Sequence, residues 1–206
     1  GVLEVLKPGS IVIDCSTSLP ETTLRMAAAT QERAAQFLDA PMTRTPKEAA
    51  EGRLNLLVGG EAALLEQCRP LLRCFAENIL HAGPTSAGHS MKLLHNYVSL
   101  GTVALISEAA ACARRSGVGM EAFTEVLTKG GGGGVGLERV KPFLLSGATA
   151  QMAFSLANAR KDLDYYSQMA GDAQAARAIA DGVMATLEAA LEGHPQALMP
   201  ELSKLI

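Results

Sequence analysis

The chain has 206 residues, and 48% of them are hydrophobic, which is enough for one large or two small buried cores. A net charge of −3 and scattered Lys and Arg residues provide no basic surface for a phosphate backbone, so no nucleic-acid partner is expected. The most apolar stretch, YVSLGTVALISEAAACA, is interrupted by polar residues and is shorter than the ~20 apolar residues that a membrane-spanning helix needs. We therefore expect a soluble globular protein that does not enter a membrane.

The cysteines and histidines give no sign of a disulfide framework or a metal site. The chain has 4 of each, no two cysteines form a CxxC pair, and the histidines do not have the spacing of metal ligands. A reducing cytoplasm is the expected location, and no metal is expected.

Residues 1–84 alternate short apolar runs with helical segments. The runs SIVID, QFLDAP, LNLLVGG and NILHAG predict strands, and segments 21–35, 46–51 and 61–75 predict helices. This alternation is typical of helices packed on a layered sheet, so these residues are predicted to be part of an α/β domain.

Residues 85–206 are predicted to form a second, all-helical domain. Ala- and Leu-rich segments with polar faces are followed by glycines, and they predict helices at 86–116, 120–129, 137–145, 151–170 and 172–192. The first helix would be roughly 45 Å long and apolar on more than one face. Such a helix must be buried between several neighbours, so we predict a homodimer.

The glycine-rich run GGGGGVG formally contains the GxGxxG spacing of a dinucleotide-binding loop, at Gly131, Gly133 and Gly136. That loop must follow a strand and begin a helix, but here the amphipathic helical segment EAFTEVLTK precedes the run. We therefore interpret the run as a flexible connection between helices.

Lys92 and Asn96 are four residues apart in the segment GPTSAGHSMKLLHN, so they lie on one face of the helix predicted at 86–116. Apolar neighbours would partly desolvate Lys92, which lowers its pKa toward neutrality, as a general acid/base requires. The glycines before the helix allow a ligand to approach the backbone closely. The alternative is that Lys92 is an ordinary solvated lysine.

Two polar loops and one basic pair are further candidates. DCSTSLP and DAPMTRTP each follow a strand, so Thr17, Thr43 and Thr45 can offer hydroxyl groups at the carboxyl edge of a sheet. Turn and N-cap roles are the alternative for these residues. Lys161, in FSLANARKDLDYY, can bind a ligand or can lie on a solvated face beside a neighbouring aspartate.

Taken in order, DCSTSLP, DAPMTRTPKEAAEGRL, GPTSAGHSMKLLHN and KDLDYY resemble the β-hydroxyacid dehydrogenase family, which includes 3-hydroxyisobutyrate dehydrogenase and several semialdehyde reductases. The resemblance covers essentially the whole chain. It implies the C-terminal portion of a Rossmann-type, dinucleotide-binding domain followed by a helical catalytic and dimerisation domain. It also implies an oxidoreductase that transfers a hydride between NAD or NADP and a small 3-hydroxy acid or its semialdehyde.

The resemblance assigns roles to individual residues. Lys92 corresponds to the family's acid/base, and Asn96 corresponds to an asparagine that helps to hold the substrate. Thr17, Phe154 and Lys161 correspond to positions that contact the cofactor. The substrate loop of the family corresponds to Thr43, Arg44 and Thr45.

The substrate loop departs from the family pattern. Residues 42–45 read Met-Thr-Arg-Thr where the family usually has V-S-G-G, and Ser86 replaces another family glycine. We hypothesise that Arg44 binds an additional anionic group of the substrate through charge-assisted hydrogen bonds. The substrate and the choice between NAD and NADP are not determined by this sequence.

Family members begin with a strand followed by the phosphate-binding GxGxxG loop, which this sequence does not contain. We expect the chain to be the C-terminal portion of a longer enzyme and to be inactive alone. An alternative is a helical dimerisation and ligand-binding module without redox activity. A relationship to imine reductases is disfavoured, because those enzymes usually lack the lysine.

Overall fold

A computed structural model describes all 206 residues, which form two compact units, Gly1–Leu94 and His95–Ile206. The division falls within helix α5 (Ala87–Arg115), whose first two turns belong to the first unit. The domain boundary predicted between residues 84 and 85 precedes that helix and stays a prediction. None of the helices combines the length and the apolar character needed to cross a lipid bilayer.

The first unit contains a five-stranded sheet and its helices. The strands are β1 (Ile11–Asp14), β2 (Gln36–Asp39), β3 (Met42–Thr43), β4 (Leu54–Gly59) and β5 (Ala76–Gly83). The helices are α1 (Val2–Val5), α2 (Pro20–Gln31), α3 (Pro46–Ala50) and α4 (Ala62–Leu72). Strand β1 is parallel to β2, β4 is antiparallel to β2 and β3, and β5 is parallel to β4.

The four predicted strands are confirmed, and burial explains why they were recognisable. Strand β4 is a nearly continuous apolar run because most of its side chains are buried, as is usual for a central strand. Its core partners on β2 and α4 include Leu38, Leu65 and Leu72, all 0–1% exposed. Strand β3 was not predicted, since its two residues are extended only through their pairing with β4.

Helix α2 ends four residues earlier than predicted. Pro20 occupies its first turn, where the fixed φ of proline suits a helix. After Gln31 the chain turns, with Ala34 at φ +54° and the Ala35 N–H bonded to the Thr30 carbonyl. Left-handed backbone of this kind is a common way to end a helix, although glycine is more usual there than alanine.

The carboxyl ends of β1 and β2 lie side by side, with Asp14 and Asp39 in register. The two polar loops of the sequence, residues 15–19 and 40–45, follow these strand ends. Both loops therefore begin at the same edge of the sheet, which is where open α/β sheets bind ligands.

The second unit consists of helices around one apolar core. Besides the remainder of α5, the helices are α6 (Met120–Lys129), α7 (Val135–Ser146), α8 (Leu156–Asp172), α9 (Ala178–Gly193) and α10 (Leu202–Leu205). Helix α8 begins five residues later than predicted, because Ser155 caps it by accepting a hydrogen bond from the Asn158 N–H. The glycine run connects α6 to α7, as predicted. The predicted fold class, α/β followed by all-α, is confirmed.

Candidate functional site

Lys92 lies in the second turn of α5 and is half-buried, between an exposed Met91 and a fully buried Leu93. Asn96 follows one turn later and is 7% exposed. Because residues four apart share a helix face, the two residues lie on the same side of α5. The predicted spacing on one helix is present, and the acid/base role of Lys92 and the substrate-holding role of Asn96 stay predictions.

Asn96 is held by a buried carboxylate from a distant part of the chain. Its Nδ2 donates a hydrogen bond of 2.7 Å to Oδ2 of Asp162 on α8, and its Oδ1 lies 3.0 Å from Nδ1 of His95. The Asp162 side chain is only 5% exposed. The hydrogen bond to this carboxylate therefore fixes the rotamer of Asn96. Because a carboxylate only accepts hydrogen bonds, the NH2 group of the amide faces Asp162 and its oxygen does not.

Two aromatic rings stack beside this pair. Tyr97 on α5 and Tyr166 on α8 have ring centroids 4.0 Å apart and planes 13° from parallel. Each ring is close in sequence to a member of the Asn96–Asp162 pair. The stack therefore keeps α5 and α8 in the register that this hydrogen bond requires.

Lys161 and Phe154, the two predicted cofactor contacts in the second unit, have different environments. The Lys161 ammonium lies 3.0 Å from Asp162 Oδ1 and 5.3 Å from the centroid of the Tyr165 ring, while 45% of its side chain remains exposed. Phe154 precedes α8 and packs partly buried against the apolar core. Lys161 thus shares with Asn96 a contact to the same carboxylate.

Thr17 lies in the loop between β1 and α2 and is half-buried. The start of the loop is shaped by Asp14, whose Oδ1 accepts a hydrogen bond of 2.9 Å from the Ser16 N–H. Burial raises the pKa of Cys15, and the nearby Asp14 carboxylate raises it further by a smaller amount. This cysteine is therefore a neutral thiol at pH 7. The loop therefore presents hydroxyl and thiol groups at the sheet edge.

The three predicted substrate-loop residues have distinct local roles. Thr43 is 8% exposed and pairs with Asn55 across the antiparallel strands. Thr45 begins α3 as part of a capping box: its N–H donates to Glu48 Oε2 at 3.0 Å, and its hydroxyl bonds to the same oxygen. These hydrogen bonds lower the pKa of Glu48, with the hydroxyl bond as the largest cause.

Arg44 connects the loop to β5. Its Nη1 donates to the carboxylate of Glu77 and to the carbonyl oxygen of Arg53. The hydrogen bond from Arg44 is the main reason that the pKa of Glu77 is lowered. Arg44 also has φ +85°, a conformation in which glycine is at ease and a side chain is strained. Arg44 thus replaces a glycine of the family pattern, but the backbone keeps the left-handed conformation that a glycine adopts easily.

Two polar residues were not singled out from the sequence. From the sequence, Asp162 was interpreted only as a salt-bridge partner of Lys161, although it lies within the motif KDLDYY. His89 is fully buried and its Nδ1 lies 2.7 Å from the hydroxyl of Thr23. Burial lowers the pKa of His89, against the opposing influence of the Asp39 and Asp14 carboxylates. No local pattern in the sequence distinguishes this histidine from a surface one.

The chain matches two families. Residues 1–83 match the NAD binding domain of 6-phosphogluconate dehydrogenase. Residues 86–199, more than half of the chain, match the family described as NAD-binding of NADP-dependent 3-hydroxyisobutyrate dehydrogenase. The two matches meet just before α5.

Individual relatives agree with these matches. The chain is 35% identical over 143 residues to the NAD-dependent L-serine dehydrogenase of Pseudomonas aeruginosa, which is 69% of this chain and 48% of that protein. It is 31% identical over 164 residues to the 2-(hydroxymethyl)glutarate dehydrogenase of Eubacterium barkeri, which is 79% of this chain and 54% of that protein. The chain thus spans about half the length of these relatives.

A solved structure has the same fold. The 3-hydroxyisobutyrate dehydrogenase of Mycobacterium tuberculosis with L-serine superposes with a TM-score of 0.89 at 24% identity, over 98% of this chain and 72% of that one. The sequence match over residues 86–199 is therefore accompanied by the fold of a solved 3-hydroxyisobutyrate dehydrogenase. The chain belongs to the family of 3-hydroxyisobutyrate dehydrogenase and related hydroxyacid dehydrogenases.

Proposed function

We propose that the protein is an NAD- or NADP-dependent oxidoreductase that interconverts a small 3-hydroxy acid and its semialdehyde, with Lys92 as the acid/base. The observation that carries the proposal is the pairing of Lys92 with Asn96 on one face of α5, where Asn96 is held by the buried Asp162. Family membership supports the reaction type. A packing role alone would not require an amide and an ammonium at this spacing.

In the direction of oxidation, the C–H bond at the substrate carbinol carbon breaks and its electron pair leaves as a hydride. The dinucleotide, when bound, supplies the nicotinamide that accepts this hydride. The neutral amine of Lys92 takes the hydroxyl proton, so the carbinol becomes a carbonyl. In the direction of reduction, the Lys92 ammonium returns that proton to the developing alkoxide.

Asn96 has the role of orienting the substrate. Its amide has two N–H groups, and Asp162 accepts a hydrogen bond from Nδ2. The second N–H can bind a substrate oxygen while the first fixes the direction of the amide. A preset donor of this kind places the hydroxyl group at Lys92 without loss of side-chain entropy on binding.

We propose Thr17 in the first unit and Lys161 and Phe154 in the second unit as contacts of the dinucleotide, each on the chemistry of its own surroundings. Thr17 offers a hydroxyl group at the carboxyl end of β1, and Lys161 offers a half-exposed cation, while Phe154 adds an apolar surface. The glycine-rich run follows helix α6 and is not a phosphate-binding loop. We therefore expect these 206 residues alone to bind dinucleotide weakly and to turn over little substrate.

The substrate class follows from what the named relatives share. L-serine, 2-(hydroxymethyl)glutarate and 3-hydroxyisobutyrate all carry a primary alcohol on the carbon next to the one that bears the carboxylate. They differ in the remaining substituent of the carbon that bears the carboxylate. We propose the same 3-hydroxy acid unit as the substrate of this protein, with Thr43, Arg44 and Thr45 selecting the substituent.

We further propose that the protein acts as a homodimer in the cytoplasm. Val98 and Leu105 on α5 and Ile179 on α9 are 64–74% exposed and line an apolar groove of about 450 Å³. A second copy of the chain would remove this surface from water. All four cysteines are unpaired, which suits a reducing compartment.

The proposal is tested on the protein as encoded in its genome, including any segment that precedes Gly1. Cofactor absorbance is followed with NADH and NADPH against small semialdehydes, and with NAD and NADP against the three hydroxy acids. Lys92→Ala should lower kcat by roughly 10²- to 10⁴-fold, and Lys92→Arg should do the same, because a guanidinium cannot accept the proton. Lys129→Ala, at an exposed lysine on α6, is the matched control. Turnover that survives Lys92→Ala would overturn the proposal.

A further inference from the structure

The first turn of α5 is capped by a side chain from the sheet. Asp39, the last residue of β2, accepts a hydrogen bond of 2.8 Å from the Ser86 N–H through Oδ1 and another of 2.8 Å from the His89 N–H through Oδ2. The N–H groups of a first helical turn have no partner within the helix, and the helix dipole favours a negative charge there. A single buried carboxylate therefore satisfies two backbone groups at the start of the helix that carries Lys92.

The space around this carboxylate leaves no room for displacement. Asp39 is 0% exposed. A Cβ atom at Gly59 would lie 2.5 Å from Asp39 Oδ1, and one at Gly88 would lie 2.3 Å from the carbonyl oxygen of Leu57. Both glycines are thus required for the helix to approach the strand ends this closely.

His89 fixes the same turn from the other side. The hydroxyl of Thr23 donates its proton to the Leu19 carbonyl at 3.0 Å, so it accepts from Nδ1 of His89 at 2.7 Å. The imidazole Nδ1 also lies 3.9 Å from Asp39 Oδ2. We call Asp39, Ser86, His89 and Thr23 the helix-start clamp. It joins β2, α2 and α5 through buried polar contacts.

We propose that Asp39 is a positioning residue for Lys92, and this inference rests on the proposed role of Lys92. Lys92 follows His89 by three residues, or about 4.5 Å along the helix axis. Asp39 is the last residue of β2 and precedes Thr43, the first residue of the substrate loop, by four residues. One carboxylate therefore sets the position of the acid/base relative to the loop proposed to bind the substrate, and a shift of about 1 Å in such a placement can cost on the order of 100-fold in rate.

The test compares Asp39→Asn with Leu65→Ala in the protein as encoded. Asparagine offers one acceptor and one donor group, so one of the two backbone N–H groups meets a donor and the helix start shifts. We expect kcat to fall roughly 10- to 100-fold while KM changes less than about threefold. Leu65 is a buried core residue on α4 outside the clamp, so its substitution lowers stability without changing kcat per folded molecule. An unchanged kcat in Asp39→Asn would overturn the inference.

A second readout separates this inference from the proposed function. Amide exchange and backbone resonances of wild type and both variants are measured by NMR. In Asp39→Asn, the Ser86 and His89 amides should exchange at least about tenfold faster relative to the other amides of the sheet, and the Lys92 amide resonance should move. Leu65→Ala should speed exchange at Ser86 and His89 no more than at those other amides and should leave the Lys92 resonance in place. If turnover does not depend on Lys92, the proposed function is wrong, and the exchange data still decide whether Asp39 positions the helix.

A milder variant covers the case in which Asp39→Asn does not fold. Thr23→Val removes the acceptor of His89 and leaves Asp39 intact, so it should produce the same pattern with a smaller decrease in kcat. Thr30→Val is its control, because Thr30 is equally buried on α2 and its hydroxyl bonds only to the Met26 carbonyl in the same helix. Equal effects of Thr23→Val and Thr30→Val on kcat and on the Lys92 resonance would overturn the inference.

Discussion

The amide of Asn96 donates a hydrogen bond of 2.7 Å to the carboxylate of Asp162, and both residues are buried. Asp162→Ala leaves the amide without its acceptor and the Lys161 ammonium without its nearest anion. We expect the free energy of unfolding to fall by about 1–3 kcal/mol and kcat/KM to fall as well, because Asn96 is no longer oriented. Urea unfolding and steady-state kinetics measure both effects.

The matched control is Asp164→Ala, which removes an exposed carboxylate two residues further along α8. Its effect on stability should stay within about 0.5 kcal/mol. If Asp162→Ala and Asp164→Ala had the same stability and kinetics, the Asn96–Asp162 contact would have no measurable role.

Ser86 has φ +78° immediately before α5. Ser86→Gly retains the N–H that donates to Asp39 and removes the strain of a side chain in left-handed backbone, so the free energy of unfolding should rise by about 1 kcal/mol. Ser99→Gly, within α5, should instead lower it by about 0.5–1 kcal/mol. Thermal unfolding of both variants checks the opposite signs, and a loss of stability in Ser86→Gly would contradict the prediction.

Arg44 is hypothesised to bind a second anionic group of the substrate, but its guanidinium already bonds to Glu77. Arg44→Gly should lower kcat/KM for 2-(hydroxymethyl)glutarate relative to L-serine by roughly 10- to 100-fold, since a charge-assisted hydrogen bond is lost. Glu77→Gln removes the competing carboxylate and should shift the ratio in the opposite direction. Competition assays with the two substrates measure that ratio, and an unchanged ratio in Arg44→Gly would exclude the hypothesis.

Stability should depend on pH through His89. Burial lowers its pKa below the ordinary 6.5, so below that pH the unfolded chain binds more protons than the folded one. The stability present above pH 6.5 is therefore lost as the pH falls, by up to about 1.4 kcal/mol per unit from this group. Urea unfolding is measured at several pH values between 7.5 and 5. The free energy of unfolding should decrease less steeply with falling pH in His89→Asn than in wild type. Equal slopes would assign the pH dependence to other groups.

The proposed homodimer is tested at Leu105, which is 70% exposed and lines the apolar groove of α5 and α9. Leu105→Asp should shift the mass measured by light scattering from dimer toward monomer, because a charge would have to be buried. Val126→Asp makes a comparable change at a residue that is 69% exposed on α6 and should leave the mass unchanged. A dimer that persists in Leu105→Asp would place the interface elsewhere.

Much of the architecture follows from local patterns. The apolar run of β4 and the 29 residues of α5 are visible in the sequence because burial imposes a period or a composition on neighbouring residues. The spacing of Lys92 and Asn96 is equally local, since a helix brings residues four apart onto one face. Helix ends were less predictable: α8 begins at a serine cap inside a segment whose composition is helical throughout.

The sequence by itself determined the fold class, the family resemblance and the helix face that carries Lys92 and Asn96, all of which depend on neighbouring residues. Only the tertiary structure decided which groups hold that face in place. Asp39 reaches His89 across 50 residues and Asn96 reaches Asp162 across 66. A buried polar group must find a partner wherever packing places one, and no local period of the chain records that choice.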